Sequence, residues 1–184
     1  MFADNTLTPK EAIRLCALGT LALAPTHLRY SELANAIRHF TSRITGPSLD
    51  IMGTSIELLK FEGLVEPVNG VGMEDDAQLK LTDKGVAELN TLMTSRIRSA
   101  GGEVNKLITT LKLRFLHLIE FQDQLEQADI LIENCETELA RLDDLRAAYG
   151  DAPGYLAVWL DHDIEQLEAH LDWLESFRES LDDA

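Results

Sequence analysis

The sequence predicts a mainly α-helical protein, with a small head that contains one β-hairpin and a long antiparallel helical arm behind it. Two observations predict this arrangement. Apolar residues recur at helical spacing through the first hundred residues and are interrupted by one pair of short β-compatible runs. Further along, a heptad pattern of leucines lies on both sides of a Gly/Pro-rich break.

The first three helices are delimited by recognisable start and stop signals. Thr8-Pro9-Lys10-Glu11 has the form of a capping box, with proline at the first helical position, and predicts a helix over about 9–23. Ser31 is expected to cap a second helix over about 31–42. A third helix follows Thr45-Gly46-Pro47-Ser48 and ends at Glu62, with Gly63 in the position favoured just past a helix end.

A hairpin and a fourth helix complete the head. Residues 64–68 and 77–81 are β-compatible runs joined by a loop with an Asn-Gly pair, and Thr82 is expected to cap a helix that extends to about Ser99. Three helices followed by a two-stranded hairpin are typical of the winged helix-turn-helix domain. We therefore predict such a domain over residues 1–100.

The remaining residues, 101–184, are expected to form a helical dimerisation domain that begins at the Gly101-Gly102 linker. Heptad helices on either side of 150–154 must fold back on each other in antiparallel fashion. The aromatic residues of this region exceed what one two-helix seam can cover, so we expect a second copy of the chain as partner, with a packed monomer as the alternative. The residues predicted to support dimerisation are Phe115, Leu125, Ile132, Leu139, Leu160, Ile164, Leu167, Leu171, Trp173 and Leu174.

Composition and charge narrow the classes of partner that this sequence is expected to have. The formal net charge is −16, and both halves are acidic, with 8 basic against 12 acidic residues in 1–95 and 8 against 20 in 96–184. This balance argues mildly against nucleic acid as a partner, because nucleic-acid binders usually present a basic face. No apolar run is long enough to cross a bilayer, and the first residues lack the features of a signal peptide, so a cytoplasmic protein without a membrane partner is expected.

Chemistry-bearing motifs are sparse. Cys16 and Cys135 lie at apolar helical positions without ligand spacing, and Asp161-His162-Asp163 lies on a heptad helix, where consecutive residues diverge too far to chelate one ion. We therefore predict no enzyme, metal site or cofactor. A small-molecule effector could lie between head and arm, although the residues that could line its cavity are more simply explained as packed core: Phe2, Leu7, Tyr30, Phe115 and His117.

Several short motifs, in order, are similar to those of the PadR-like transcriptional regulators, in the subgroup with a long helical C-terminal dimerisation domain. They are Leu18-Gly19-Thr20-Leu21-Ala22-Leu23-Ala24-Pro25, Tyr30-Ser31-Glu32-Leu33-Ala34, Leu58-Leu59-Lys60-Phe61-Glu62-Gly63-Leu64-Val65, Leu81-Thr82-Asp83-Lys84-Gly85, Leu111-Lys112-Leu113-Arg114-Phe115-Leu116 and Leu167-Glu168-Ala169-His170-Leu171-Asp172-Trp173-Leu174-Glu175. The resemblance implies a homodimer that presents two recognition helices to a palindromic operator and usually represses an adjacent gene.

The DNA-binding hypothesis assigns groove contacts to the third helix and phosphate contacts to the cations around it. The predicted residues are Arg29, Tyr30, Arg38, His39, Arg43, Ser48, Thr54, Ser55, Lys60, Lys80 and Lys84. The alternative is a winged-helix protein-interaction module that has lost DNA binding. It is supported by three departures from the family pattern: Gly53 replaces a usual tyrosine, Glu57 stands near usual basic positions, and Glu74-Asp75-Asp76 makes the wing acidic.

Overall fold

A computed structural model describes residues 6–45, 53–97 and 103–182 of the chain. The elements are α1 (Pro9–Leu23), β1 (Leu28–Arg29), α2 (Tyr30–Thr45), α3 (Gly53–Phe61), β2 (Val65–Asn69), β3 (Gln78–Leu81), α4 (Asp83–Thr94), α5 (Glu103–Phe115), a short 3-10 helix (Leu116–Leu118), α6 (Phe121–Tyr149) and α7 (Leu156–Asp182). The mainly helical fold with a small antiparallel sheet confirms the predicted winged-helix class.

The chain forms two compact units. The first contains α1 to α5 with the sheet, and the second contains α6 and α7. Helix α5 therefore packs with the winged helix, although it follows the boundary that the sequence predicts at residue 100. The assignment of DNA binding and dimerisation to separate domains stays a prediction. Within the described ranges, no helix combines the length and apolar character that a membrane span requires.

The sheet contains one strand more than the sequence predicts. Its order is β1-β3-β2, with Leu28 opposite Leu79 and Val65 opposite Leu81. Two residues carry too little periodicity to identify a strand, and β1 exists because β3 offers it a free edge. It joins the start of α2 to the wing, which we define as β2, β3 and the loop 70–77 between them.

Local capping explains where two helices begin. The Thr8 backbone N–H donates to Glu11 Oε2 (2.7 Å) and the Glu11 N–H donates to Thr8 Oγ1 (3.3 Å), which is the predicted capping box. Thr82 Oγ1 accepts from the Gly85 N–H (3.0 Å), as predicted for the fourth helix. That helix ends at Thr94, earlier than the predicted Ser99, and Gly63 follows α3 with φ at +72°.

The prediction for the start of the second helix is wrong by one residue. Helix α2 begins at Tyr30, and Ser31 does not cap it. Instead, the Ser31 backbone N–H and Oγ both donate to the carboxylate of Asp76 on the wing loop, at 2.8 and 3.0 Å. The acceptor that satisfies this helix end comes from a residue distant in sequence, which local pattern could not indicate.

Helix α1 is the centre of the first unit, because residues on nearly all of its sides are buried. Gly19 brings it against α5: a Cβ at this position would lie 2.5 Å from the ring of Phe115, which is completely buried. On the half-exposed side, Arg14 pairs with Glu62 (2.7 Å) and Glu88 (2.8 Å), linking α1 to the end of α3 and to α4. Cys16 lies in the same core, where burial raises the pKa of its thiol to about 11.

In the second unit, α6 and α7 form the predicted antiparallel hairpin. Arg146 pairs with Asp161 near the turn (2.5 Å), and Arg178 pairs with Asp129 near the other end (2.8 Å). The heptad positions Leu125, Ala128, Cys135, Leu160 and Leu174 are buried along the seam. Phe121, which precedes Leu125 by four residues on α6, is by contrast half exposed.

Candidate nucleic-acid interface

The most accessible basic cluster lies on α2 and consists of Arg38, His39 and Arg43. All three side chains are exposed, and Arg38 Nη1 donates to the neutral Asn35 Oδ1 at 3.0 Å. In the part of the chain that the structure describes, none of them pairs with a carboxylate. Arg43 also lies in the last turn of α2, where a cation is favoured by the helix dipole. These three residues can therefore meet phosphate without breaking an ion pair.

The structure describes only some of the residues predicted to contact the DNA groove. Ser48 lies outside the described residues, and so do the side chains of Thr54 and Ser55, whose backbone belongs to α3. Lys60, near the end of α3, donates from Nζ to the backbone carbonyl of Val71 on the wing. Its ammonium group thus ties α3 to the wing.

The remaining predicted DNA contacts are engaged within the protein. Lys80 Nζ pairs with Glu66 Oε1 across the sheet (2.8 Å), Lys84 Nζ donates to the Glu62 carbonyl (2.8 Å), and Arg29 Nη1 lies 3.9 Å from Asp76 Oδ2. Tyr30 is only 7% exposed, and burial, followed by the nearby Glu57 carboxylate, raises the pKa of its phenol. We therefore expect these four residues to contribute less to phosphate binding than the α2 cluster.

Two of the three acids in the wing loop have structural roles. Asp75 Oδ2 accepts from the Val71 N–H (2.9 Å) within the loop. Asp76 adopts a left-handed backbone conformation (φ +46°), and its hydrogen bonds from the Ser31 backbone and hydroxyl, with Arg29 nearby, lower the pKa of its carboxyl. Glu74 remains exposed. The acidity of the wing thus reflects, in part, the hydrogen bonding that joins it to α2.

The residues predicted to support dimerisation fall into three groups. Phe115 is buried in the first unit, and Leu125, Leu160 and Leu174 are buried in the α6–α7 seam. Half-buried positions along that seam are Ile132, Leu139, Ile164, Leu167 and Leu171. Trp173 is 48% exposed and stacks between His170 and Phe177, with ring centroids 5.8 and 5.6 Å away.

Helix α7 carries further exposed apolar surface that the hairpin itself does not cover. Val158 and Trp159 on α7, and Tyr155 immediately before it, are all more than half exposed. Aromatic side chains are enriched in protein interfaces, where their large rigid surfaces are buried at low entropic cost. The exposed face of α7 that includes Trp159 and Trp173 is hereafter the α7 aromatic face.

A buried lysine is the main feature that sequence reasoning missed. Lys112 on α5 is 1% exposed, and its Nζ donates to the backbone carbonyls of Met93 and of Ser95 (2.6 Å) at the end of α4. Burial lowers the pKa of this ammonium to about 7. Of the residues proposed to line an effector cavity, Leu7, Tyr30 and Phe115 are buried, His117 is exposed, and Phe2 lies outside the described residues.

Comparison with known proteins points to one family. A family model described as "Putative AphA-like transcriptional regulator" matches residues 2–178. A crystal structure of Bacillus subtilis PadR is 15% identical, with a TM-score of 0.40 and coverage of 96% of this chain and 98% of that one. A second structure, of Bacillus subtilis PadR in complex with operator DNA, is 16% identical, with a TM-score of 0.36 and coverage of 92% and 98%. No curated protein matches the sequence.

Proposed function

Because the chain belongs to the AphA-like family of PadR-like transcriptional regulators, we propose that it is a homodimeric repressor that binds operator DNA through the α2 cluster and the third helix. The observation that carries this proposal is the exposed set of Arg38, His39 and Arg43. None of the three pairs with a carboxylate among the described residues, unlike the predicted contacts Arg29 and Lys80.

DNA binding would depend on the charges at the contact surface and not on the net charge of the chain. Most of the affinity of a protein for DNA comes from phosphate neutralisation and counterion release, which depend on the charges at the interface. A net charge of −16 lowers the rate of encounter but does not remove a local basic surface. In a dimer the cluster is present twice, so six cationic or titratable side chains could approach the two halves of an operator.

Self-association is proposed through the α7 aromatic face. Leu125, Leu160 and Leu174 of the seam are already buried within one chain, whereas Trp159 and Trp173 on α7 leave about half of their surface available to a partner. Burying apolar surface contributes about 25 cal/mol per Å2, and several aromatic side chains can therefore exceed the cost of association.

The DNA contact is tested by replacing both arginines of the cluster. Arg38→Ala with Arg43→Ala should weaken binding to promoter fragments of all sequences and lower the slope of log K against log salt by about one for each phosphate that is no longer neutralised. Fluorescence anisotropy at several salt concentrations measures both quantities. Arg141→Ala with Lys106→Ala removes the same charge from exposed positions elsewhere and should leave the slope unchanged. Equal slopes for the cluster variant and the unaltered protein would remove the assignment.

The dimer is tested at the α7 aromatic face. Trp159→Glu with Trp173→Glu should yield monomers in sedimentation equilibrium, because the apolar area is removed and like charges face each other. Substituting Leu167 and Leu171 would be less informative, since both are half buried in the seam and their replacement would also disturb the hairpin. Val86→Glu with Asn90→Glu, at exposed positions of α4, is the matched control. If the variant with Trp159→Glu and Trp173→Glu keeps its helical content and still sediments as a dimer, the proposed interface is wrong.

A further inference from the structure

An open recess of about 340 Å3 lies between α3 and the wing loop. Its lining residues are Glu57, Lys60, Val71, Gly72, Met73 and Glu74. The two walls are held together, because Lys60 on α3 donates to the Val71 carbonyl on the loop. Gly72 permits this approach: a Cβ there would lie 2.6 Å from Lys60 Nζ. We call this feature the wing recess.

One carboxylate oxygen in the wing recess lacks a hydrogen-bond donor. Glu57 Oε1 is inaccessible to solvent and has no partner among the residues that the structure describes. A buried, unsatisfied polar atom costs about 1–3 kcal/mol, and more when it is charged. Lys60, three residues further along α3, directs its ammonium to the Val71 carbonyl instead. The site is therefore short of a donor, and a cationic group would supply one.

Exposed apolar side chains also lie in and near the wing recess. Val71 and Met73, which line the wing recess, are 72% and 58% exposed. Phe61, four residues after Glu57 and so on the same side of α3, is 89% exposed. Neighbouring apolar side chains left in contact with water are typical of interaction sites.

The charges at the wing recess favour a basic protein segment over nucleic acid as its partner. Glu57 and Glu74 would repel phosphate at the recess, and its lysine is already hydrogen-bonded. An apolar segment that also carries arginine or lysine meets both requirements, since its cations can pair with the carboxylates of Glu57 and the exposed Glu74 while its apolar side chains cover Val71 and Met73.

We propose that the wing recess is a docking site for a basic amphipathic segment of a partner protein. This inference goes beyond the proposed DNA contact, which uses the α2 cluster and the third helix. The wing recess shares α3 with that contact, and Lys60 is the predicted DNA-binding residue that lines it.

The experiment uses the full chain and a fluorescein-labelled 14-residue Lys/Leu amphipathic peptide, with a Glu/Leu peptide as its counterpart. We expect the Lys/Leu peptide to bind, and Glu57→Gln and Met73→Ser each to weaken it about tenfold or more, because one removes the buried charge that receives the peptide cation and the other removes an apolar wall. Amide shifts in a titration should concentrate at residues 57–61 and 71–74.

The acidic arm provides the control for unspecific attraction. Glu165→Gln on α7 removes the same charge at an exposed position and should change the affinity less than twofold. An equal loss in Glu165→Gln, or comparable binding of the Glu/Leu peptide, would overturn the proposal. So would competition for the recess by promoter DNA together with weaker DNA binding in Glu57→Gln, which would assign the recess to DNA. Failure of the α2 variant to affect DNA binding tests the other proposal and leaves this one standing.

Discussion

Replacing Gly85 by alanine is expected to destabilise the first unit by at least about 2 kcal/mol, at the upper end of what overpacking usually costs. A Cβ at this buried position would lie 2.0 Å from the backbone carbonyl oxygen of Leu64. The obstacle is main chain and cannot rotate away, so α4 would have to move. Movement would also strain the bonds in which Thr82 Oγ1 accepts from Gly85 and donates to Gly63 O (2.8 Å).

A loss of stability in Gly85→Ala would identify the steric contact as its cause, because helix propensity alone predicts a gain in stability. Glycine inside a helix is less favourable than alanine by about 0.8–1.0 kcal/mol. Both tryptophans lie on α7, so amide hydrogen exchange in α1 and α4 is the suitable measurement for the first unit. Val86→Ala, at the next and half-exposed position, should change stability by less than about 0.5 kcal/mol. Protection in Gly85→Ala equal to that of the unaltered protein would show that α4 does not rest on Leu64 in this way.

Features controlled by neighbours in sequence could be predicted. The capping box of Thr8 and Glu11, the cap at Thr82 and the glycine after α3 each depend on residues within one helical turn. The hairpin of α6 and α7 was equally predictable, because a heptad pattern interrupted by Gly and Pro leaves little choice of geometry. The candidate α2 cluster belongs to the same class, since its residues lie within one stretch of helix.

Features that depend on distant neighbours could not be predicted. Strand β1 is defined by the edge of β3, and the start of α2 is satisfied by Asp76, which the sequence alone presents as part of an acidic wing. Lys80 and Lys84 were expected to meet phosphate but are occupied by Glu66 and by a backbone carbonyl. Charge counts along a chain do not show which ions are already paired.

Lys112 is the strongest case of a residue whose role depends on tertiary structure. An isolated lysine in a helical pattern suggests a solvent-facing position, yet it is buried on α5 beneath the end of α4. No basic residue lies in the last turn of α4, so Lys112 supplies the positive charge that the carbonyl end of that helix favours. This stabilisation opposes the cost of removing an ammonium group from water.

The stability of the first unit is expected to rise with pH from about 7 towards 10 through Lys112. Burial lowers the pKa of this ammonium in the folded protein to about 7, whereas an unfolded lysine titrates at about 10.4. Between these values the unfolded state binds the extra proton, so raising the pH favours folding. The slope is at most about 1.4 kcal/mol per pH unit, which gives about 2 kcal/mol between pH 7 and 9.

Lys112→Met isolates this contribution, because methionine keeps most of the side-chain volume and cannot titrate. Hydrogen exchange of α1 and α4 amides, corrected for intrinsic rates, should show that the stability of the unaltered protein gains on that of Lys112→Met as pH rises from 7 to 9. Lys106→Met, at an exposed position of α5, controls for the change in net charge and should run parallel to the unaltered protein. A constant difference between the unaltered protein and Lys112→Met would mean that Lys112 keeps its proton, with the α4 carbonyls outweighing burial. If the stability of the unaltered protein rises relative to that of Lys112→Met, the side chain at the two carbonyls is a neutral amine above pH 7.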